Sequence, residues 1–351
     1  MAIKTTPSAV ASERLREVSL LSRLLIRPEL GSVAGAVLVF LIFFIVAGDS
    51  GMFSVDGSIS WIKVAAYLGI IAIGACLLMI AGEFDLSVGS MIGFAGMMIA
   101  IPAKYWGWPV WSSIMFAFAV AMSLGFINGY IAVKTRLPSF IVSLAFLFIL
   151  RGLTIGLSIS LTNRTIIGGV GMDGGLAEGD WLAAIFGFVI GGDYGLPAVV
   201  VWFLLLAVVA SFVLLRTRFG NWIFAAGGDA NAARNVGVPV DRVKILLFMF
   251  TAFCATLYAT CEMMEYGSAS ADRGTLKEFE AIIAAVIGGA LLTGGYGSVV
   301  GACFGALIFA VVQVGINYSG IDNSWYRVVL GLLLLFAVVF NNYVRRRVTG
   351  S

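Results

Sequence analysis

Residues 197–215 read Pro197-Ala-Val-Val-Val-Trp-Phe-Leu-Leu-Leu-Ala-Val-Val-Ala-Ser-Phe-Val-Leu-Leu215, a run without a charge that stops at Arg216-Thr-Arg218. A helix of that length reaches about 28 Å, roughly the thickness of a bilayer's hydrocarbon layer. Lipid offers the backbone no hydrogen bonds, so such a run is read as a helix that satisfies its own. The rest of the chain supports the reading. Its 351 residues are 60% hydrophobic and only 12% charged, where a soluble domain carries about a quarter. Outward from 197–215, the runs 32–48, 61–81, 86–103, 109–134 and 138–161 precede it, and 242–265, 278–293, 296–317 and 325–343 follow. The predicted fold class is all-α, a polytopic membrane protein with about ten transmembrane helices.

Lys and Arg set the expected orientation. With ten spans, both termini share a side with the segments 82–85, 135–137, 216–241 and 294–295, where most basic residues lie. The loop 162–196 on the other side holds Arg164 against Asp173, Glu178, Asp180 and Asp193. Both termini are therefore expected in the cytoplasm. A short helix near 181–190 is expected at the outer interface. The expected divisions are a segment 1–31, a transmembrane domain 32–343 with a cytoplasmic loop 216–241 inside it, and a basic tail 344–351. Residues 12–28 alternate Leu15, Val18, Leu21, Leu24 and Leu25 with Arg14, Arg16, Arg23 and Arg27, the pattern of a basic helix lying on a membrane surface. No apolar core of a cleaved signal precedes it.

Several chemistries are excluded. There is no histidine, so a Ser-His-Asp triad or a His-ligated metal has no imidazole. Cys76, Cys254, Cys261 and Cys303 stand singly in apolar runs and read as small buried hydrophobes. No lysine follows a glycine, so a phosphate-binding GxxxxGK[ST] loop is absent. Gly169, Gly171 and Gly174 form a GxGxxG, but in an exported polar loop with no Rossmann-like strand and helix around it, a chance match. A net charge of only +3 with no clustered basic face gives no nucleic-acid footprint.

Two local patterns point further. Gly297, Gly301 and Gly305, like Gly89 and Gly93, recur every four residues, the mark of a helix face that lets another backbone approach closely. In the polar stretch Arg216–Val238, Asp229 is placed to cap a short helix over residues 230–235 and Gly237 to close it. Ala232 and Ala233 would give that helix a flat surface on which another protein could rest.

Four stretches together are recognisable. Gly82-Glu-Phe-Asp-Leu-Ser-Val-Gly-Ser90 resembles the GGIDLSVGS signature of the monosaccharide ABC importer permeases, the ribose-permease family. Asn231-Ala-Ala-Arg-Asn-Val-Gly237 resembles their EAAxxxG coupling motif. Leu150-Arg151-Gly152 and the stretch Glu280–Ser298 are similar too, in the family's order. The chain departs from the pattern at Glu83, where a second glycine is usual, and at Glu280, where Asp is usual.

The resemblance implies a bacterial inner-membrane subunit of the vitamin B12-type importer architecture that passes a monosaccharide or related polyol by alternating access, not itself an enzyme and without a cofactor of its own. Its implied partners are a second permease subunit, cytoplasmic ABC ATPases that carry ATP and Mg, and a periplasmic sugar-binding protein. It further implies that Arg218, Gly220, Gly228, Asp229, Ala232, Ala233 and Gly237 belong to the ATPase-coupling segment. Candidates for the passage or gate are Glu83, Asp85, Ser87, Asn128, Arg151, Gln313 and Asn317, with Asn163, Ser319, Trp325 and Tyr326 as further groups able to meet a sugar. Two carboxylates beside a helix break are costly without a cation, so either Glu83 or Asp85 pairs with Arg151, or both stand in water at the cytoplasmic mouth. The alternatives are a related permease for a nucleoside, an autoinducer-type molecule or a branched amino acid, and an ion-coupled secondary transporter.

Overall fold

The structure, a computed structural model, describes residues 28–170, 181–190, 195–322 and 324–333, together with 335 and 339. The expected surface helix 12–28 and the basic tail lie essentially outside these residues. Eight described helices are long and apolar enough to cross a membrane. They are α1 (Pro28–Ala47), α2 (Val55–Ile80), α3 (Val88–Tyr105), α4 (Val110–Thr135), α5 (Ser139–Thr162), α7 (Ala198–Arg216), α10 (Val240–Tyr266) and α12 (Val299–Tyr318). Between them lie the short helices α6 (Trp181–Gly187), α8 (Arg218–Gly228), α9 (Ala230–Asn235) and α11 (Lys277–Ile287). A further helix, α13, occupies 325–333.

Burial sorts these helices into two layers. α2, α3, α10 and α12 are enclosed, α10 against α3 and α4, and α12 against α2 and α1. α1, α4, α5 and α7 surround them and leave broad apolar faces outward, including Phe148 of α5 and Val208 of α7, both about two-thirds exposed. Helices apolar on all sides can be solvated by lipid on one face and by protein on the other. α5 packs chiefly on α3 and α4. Two small antiparallel strand pairs complete the fold: β1 (Ile166–Gly168) with β4 (Ser268–Ser270), and β2 (Val189–Ile190) with β3 (Leu196–Pro197).

One expected span differs. The apolar stretch 278–293 is not a continuous crossing: α11 ends at Ile287, and the chain turns through Gly289, Gly294 and Gly295, all at positive φ. The cause is packing. Gly288 lies so close to Gly301 of α12 that a Cβ would meet the Ala302 nitrogen at 2.5 Å, and Gly305 of α12 likewise lies against the Ala284 carbonyl. Backbones this close fix the path of the chain, and the apolar run cannot continue straight. The expected tenth span is helical over 325–333, and most of its remainder lies outside the described residues.

Two further irregular segments interrupt the bundle. Residues 81–87 join α2 to α3, and 271–276 join β4 to α11. In the first, the Phe84 N–H donates to Ser139 Oγ at 3.0 Å and Ser143 Oγ donates to the Phe84 carbonyl at 3.3 Å. Hydroxyls of α5 thus replace the helical partners that this backbone lacks.

Candidate functional site: a buried carboxylate, a mid-helix arginine and a capped helix

Asp85 sits in the 81–87 segment with only 7% of its surface exposed. Its Oδ1 accepts from the Ser87 N–H (2.9 Å), Ser87 Oγ (2.6 Å) and Asn128 Nδ2 of α4 (3.3 Å), while Thr251 Oγ1 of α10 donates to Oδ2. Four donors from three elements hold one carboxylate, a geometry that ties the helix break to both neighbours. The carbonyl oxygen of the Asn128 amide has no partner and is buried.

The expected pairing with Arg151 does not form. Glu83 takes Lys244 of α10 as its ion pair, and Asp85 is held by the hydroxyls and amide. Arg151 turns instead to backbone oxygens: its Nη1 donates to Ala271 O at 2.8 Å and Arg273 O at 3.3 Å. The reason is geometric. The carboxylate segment docks on α5 at Ser139 and Ser143, at least two turns before Arg151, and at the level of Arg151 the acceptors at hand are the carbonyls of 271–276. Gly89 and Gly93 of α3 face this segment; a Cβ on Gly93 would come within 2.9 Å of both carbonyls that Arg151 holds.

The remaining expected passage residues are dispersed. Gln313 Oε1 accepts from the Tyr326 hydroxyl at 3.4 Å, and Tyr326 is buried edge-on against Phe309. Asn317 and Trp325 are exposed, Ser319 Oγ donates back to the Ile316 carbonyl, and Asn163 caps the end of α5 at φ 54°. None of these is among the groups that hydrogen-bond to Asp85. Gly297 lies against the side chain of Ile80 at the end of α2.

The second feature is α9. Asp229 Oδ1 accepts from the Asn231 and Ala232 N–H groups, both at 2.9 Å. At the other end the Gly237 N–H donates to the Arg234 carbonyl and the Val238 N–H to the Ala233 carbonyl, both at 3.0 Å, with Gly237 at φ 85°. This is a complete Schellman closure. Ala233 does not contribute to an exposed surface: it is buried, because it is the residue that seats this short helix on the bundle. Asn231, Ala232, Arg234, Asn235 and Val236 face outward. Arg234 pairs with Asp241 at 2.8 Å. Preceding α9, Thr217 Oγ1 caps α8 by accepting the Gly220 N–H at 3.2 Å, Arg218 is exposed, and Gly220 is buried against the Leu214 carbonyl. Gly228 has open space where a Cβ would stand.

Residue-by-residue reading missed Lys244, Thr251, Ser139 and Glu278. Each is an ordinary polar residue in its own stretch, and its partner is remote: Lys244 and Glu83 are 161 positions apart. Glu278 alone carried a local signal, as a carboxylate at the head of an apolar run. It is buried, with Oε2 unpartnered and lying against Gly89.

Residues 58–338 match the family described as branched-chain amino acid transport system / permease component. The xylose transport system permease protein XylH of Escherichia coli (strain K12) is 30% identical, over 89% of this chain and 91% of its own length. The ribose import permease protein RbsC of the same organism is 31% identical over 87% and 91%. Its inner membrane ABC transporter permease protein YjfF is 32% identical over 78% and 80%. No solved structure matches.

Proposed function

The chain belongs to the branched-chain amino acid transport system / permease component family, and from that premise we propose that it is the membrane subunit of an ATP-driven importer for a monosaccharide. The observation that carries the substrate class is the near full-length likeness to a xylose and a ribose permease, each covering at least 87% of this chain. The chain moves its solute without covalent chemistry. ATP and Mg are bound and used on separate ATPase subunits, a second permease copy or homologue completes the membrane unit, and a periplasmic sugar-binding protein delivers the solute. Both termini and α9 face the cytoplasm, and the protein resides in the inner membrane.

In this reading α9 is a rigid knob on which the ATPase pushes. Its caps hold it at both ends, and its buried Ala233 transfers displacement to the bundle. Alternating access then needs only two discrete packings of the helix bundle.

The test is uptake of labelled xylose, ribose and leucine into proteoliposomes holding the permease with its co-purifying ATPase and binding protein. ATP-dependent accumulation of a pentose supports the reading. The family's description makes a branched-chain amino acid the second reading, and accumulation of leucine alone would select it. Uptake by the permease without ATPase, driven by a cation gradient, would overturn both.

A further inference from the structure

The irregular segment 271–276 lies at the depth of mid-membrane. Arg151, which holds its carbonyls, is at the centre of the helix Ser139–Thr162, and Gly89 and Gly93 of another spanning helix back onto it. Yet, among the described residues, nothing covers the opposite side of the segment. Asp272 and Thr275 are exposed, as is Leu276 at φ 67°. On α5, beside Arg151, Gly152 and Gly156 likewise have open space among the described residues where a Cβ would stand.

Such a surface cannot face lipid. Non-helical backbone and an exposed carboxylate at this depth are both costly in hydrocarbon and are tolerated only beside water or protein. Protein alone is a poor cover: packing against Asp272 would demand a buried cation from the partner, whereas water demands nothing. Strain such as that at Leu276 is also typical of working segments.

We propose that this face is one wall of the water-filled passage, and that Arg151, Asp272, Thr275 and Phe279 form a contact set there for a small uncharged polyhydroxylated solute. The inference rests on the importer reading and names the place where the solute passes. Arg151 spends Nη1 on the segment and keeps further N–H donors for hydroxyl oxygens. The Asp272 carboxylate accepts from hydroxyls, and the Thr275 hydroxyl, whose own proton goes to the Asp272 carbonyl at 2.6 Å, accepts as well. Phe279, 46% exposed at the start of α11, offers an apolar plane to the C–H face of a ring. Arg151 supplies a cation and Asp272 an anion, and Glu278, buried against Gly89, shares the field of Arg151, so no positive charge is left unopposed to hold an anion and the hydroxyl-binding groups suit a neutral solute. The smooth α5 face at Gly152 and Gly156 leaves room for it.

The experiment uses the assembled importer with Thr275→Cys, and Val208→Cys on the lipid-facing side of α7, probed with a charged, membrane-impermeant thiosulfonate. The parent chain gives the background from its four cysteines. Thr275→Cys should label well above that background and Val208→Cys should not. Saturating sugar should slow labelling, and labelled Thr275→Cys should lose most ATP-dependent uptake. Asp272→Asn should raise the sugar concentration for half-maximal uptake about tenfold, the worth of one charge-assisted hydrogen bond. Thr275→Cys that stays unlabelled in an importer with intact uptake overturns the inference while leaving the importer reading standing. Labelling that neither responds to sugar nor affects uptake overturns it equally, since the face would then be wet but off the route. If the parent takes up no sugar with ATP, the importer reading fails first, whatever the labelling shows.

Discussion

Gly227, in the helix before the capped knob, lies directly against the Ile80 carbonyl at the end of α2, so close that a Cβ could not be accommodated. The same carbonyl accepts the Gly295 N–H at 2.8 Å. Three remote backbones therefore meet at one point: the end of α2 just before the Asp85 segment, the α8–α9 unit, and the turn after α11.

Movement of α9 has a short mechanical path to the helix breaks through this junction. Gly227→Ala should force these backbones apart and cost about 1–3 kcal/mol, seen as a lowered unfolding temperature in detergent. Sugar uptake should fall more than ATP hydrolysis does. Uptake and hydrolysis falling in equal proportion would remove the junction from the coupling path.

Gly237→Val tests the knob itself. A β-branched residue at φ 85° is strained by about 1–2 kcal/mol, so the Schellman closure of α9 should open. ATP-driven uptake should drop markedly while the amount of permease in the membrane stays the same. Unchanged uptake would count against α9 as the docking element.

Glu83 and Lys244 form a half-buried ion pair between the first break and α10. Removing either partner strands a charge away from bulk water, so Glu83→Gln or Lys244→Met should each destabilise by about 1–3 kcal/mol. The double variant should recover part of that loss. Strict additivity in a double-mutant cycle would show that the pair contributes no coupling.

Asp85 separates shape from charge. Asp85→Leu leaves the Ser87 N–H and hydroxyl without their acceptor and leaves the Thr251 hydroxyl and the Asn128 amide only the Phe248 carbonyl and the Ser87 hydroxyl, and should lower stability by about 3 kcal/mol. Asp85→Asn keeps one acceptor oxygen and should be milder by half or more. Equal unfolding temperatures for the two variants would show that the network does not hold the break.

The part of the fold legible in the sequence was the part that lipid dictates. Runs such as 109–134 and 242–265 lie within two residues of the observed helices because an apolar stretch of that length has one way to satisfy its backbone. The α9 knob was legible for a related reason: Asp229 and Gly237 act on neighbours two to four positions away, so the pattern contains its own geometry.

What stayed hidden depended on contacts between distant segments. Residues 278–293 look like a span, and only Gly301 and Gly305 of α12, pressed against their backbone, decide that the chain must turn after Ile287. Arg151 looks like the counter-ion for Glu83 or Asp85, and only the descent of 271–276 beside α5 gives it carbonyls instead. Ala233 looks like surface until α9 is seated on the bundle. Hydrophobic length and local capping are properties of a few consecutive residues, so the sequence alone determined a multi-span helical protein with a capped knob. Which polar group meets which is a property of how helices lie against one another, and that only the tertiary structure decided.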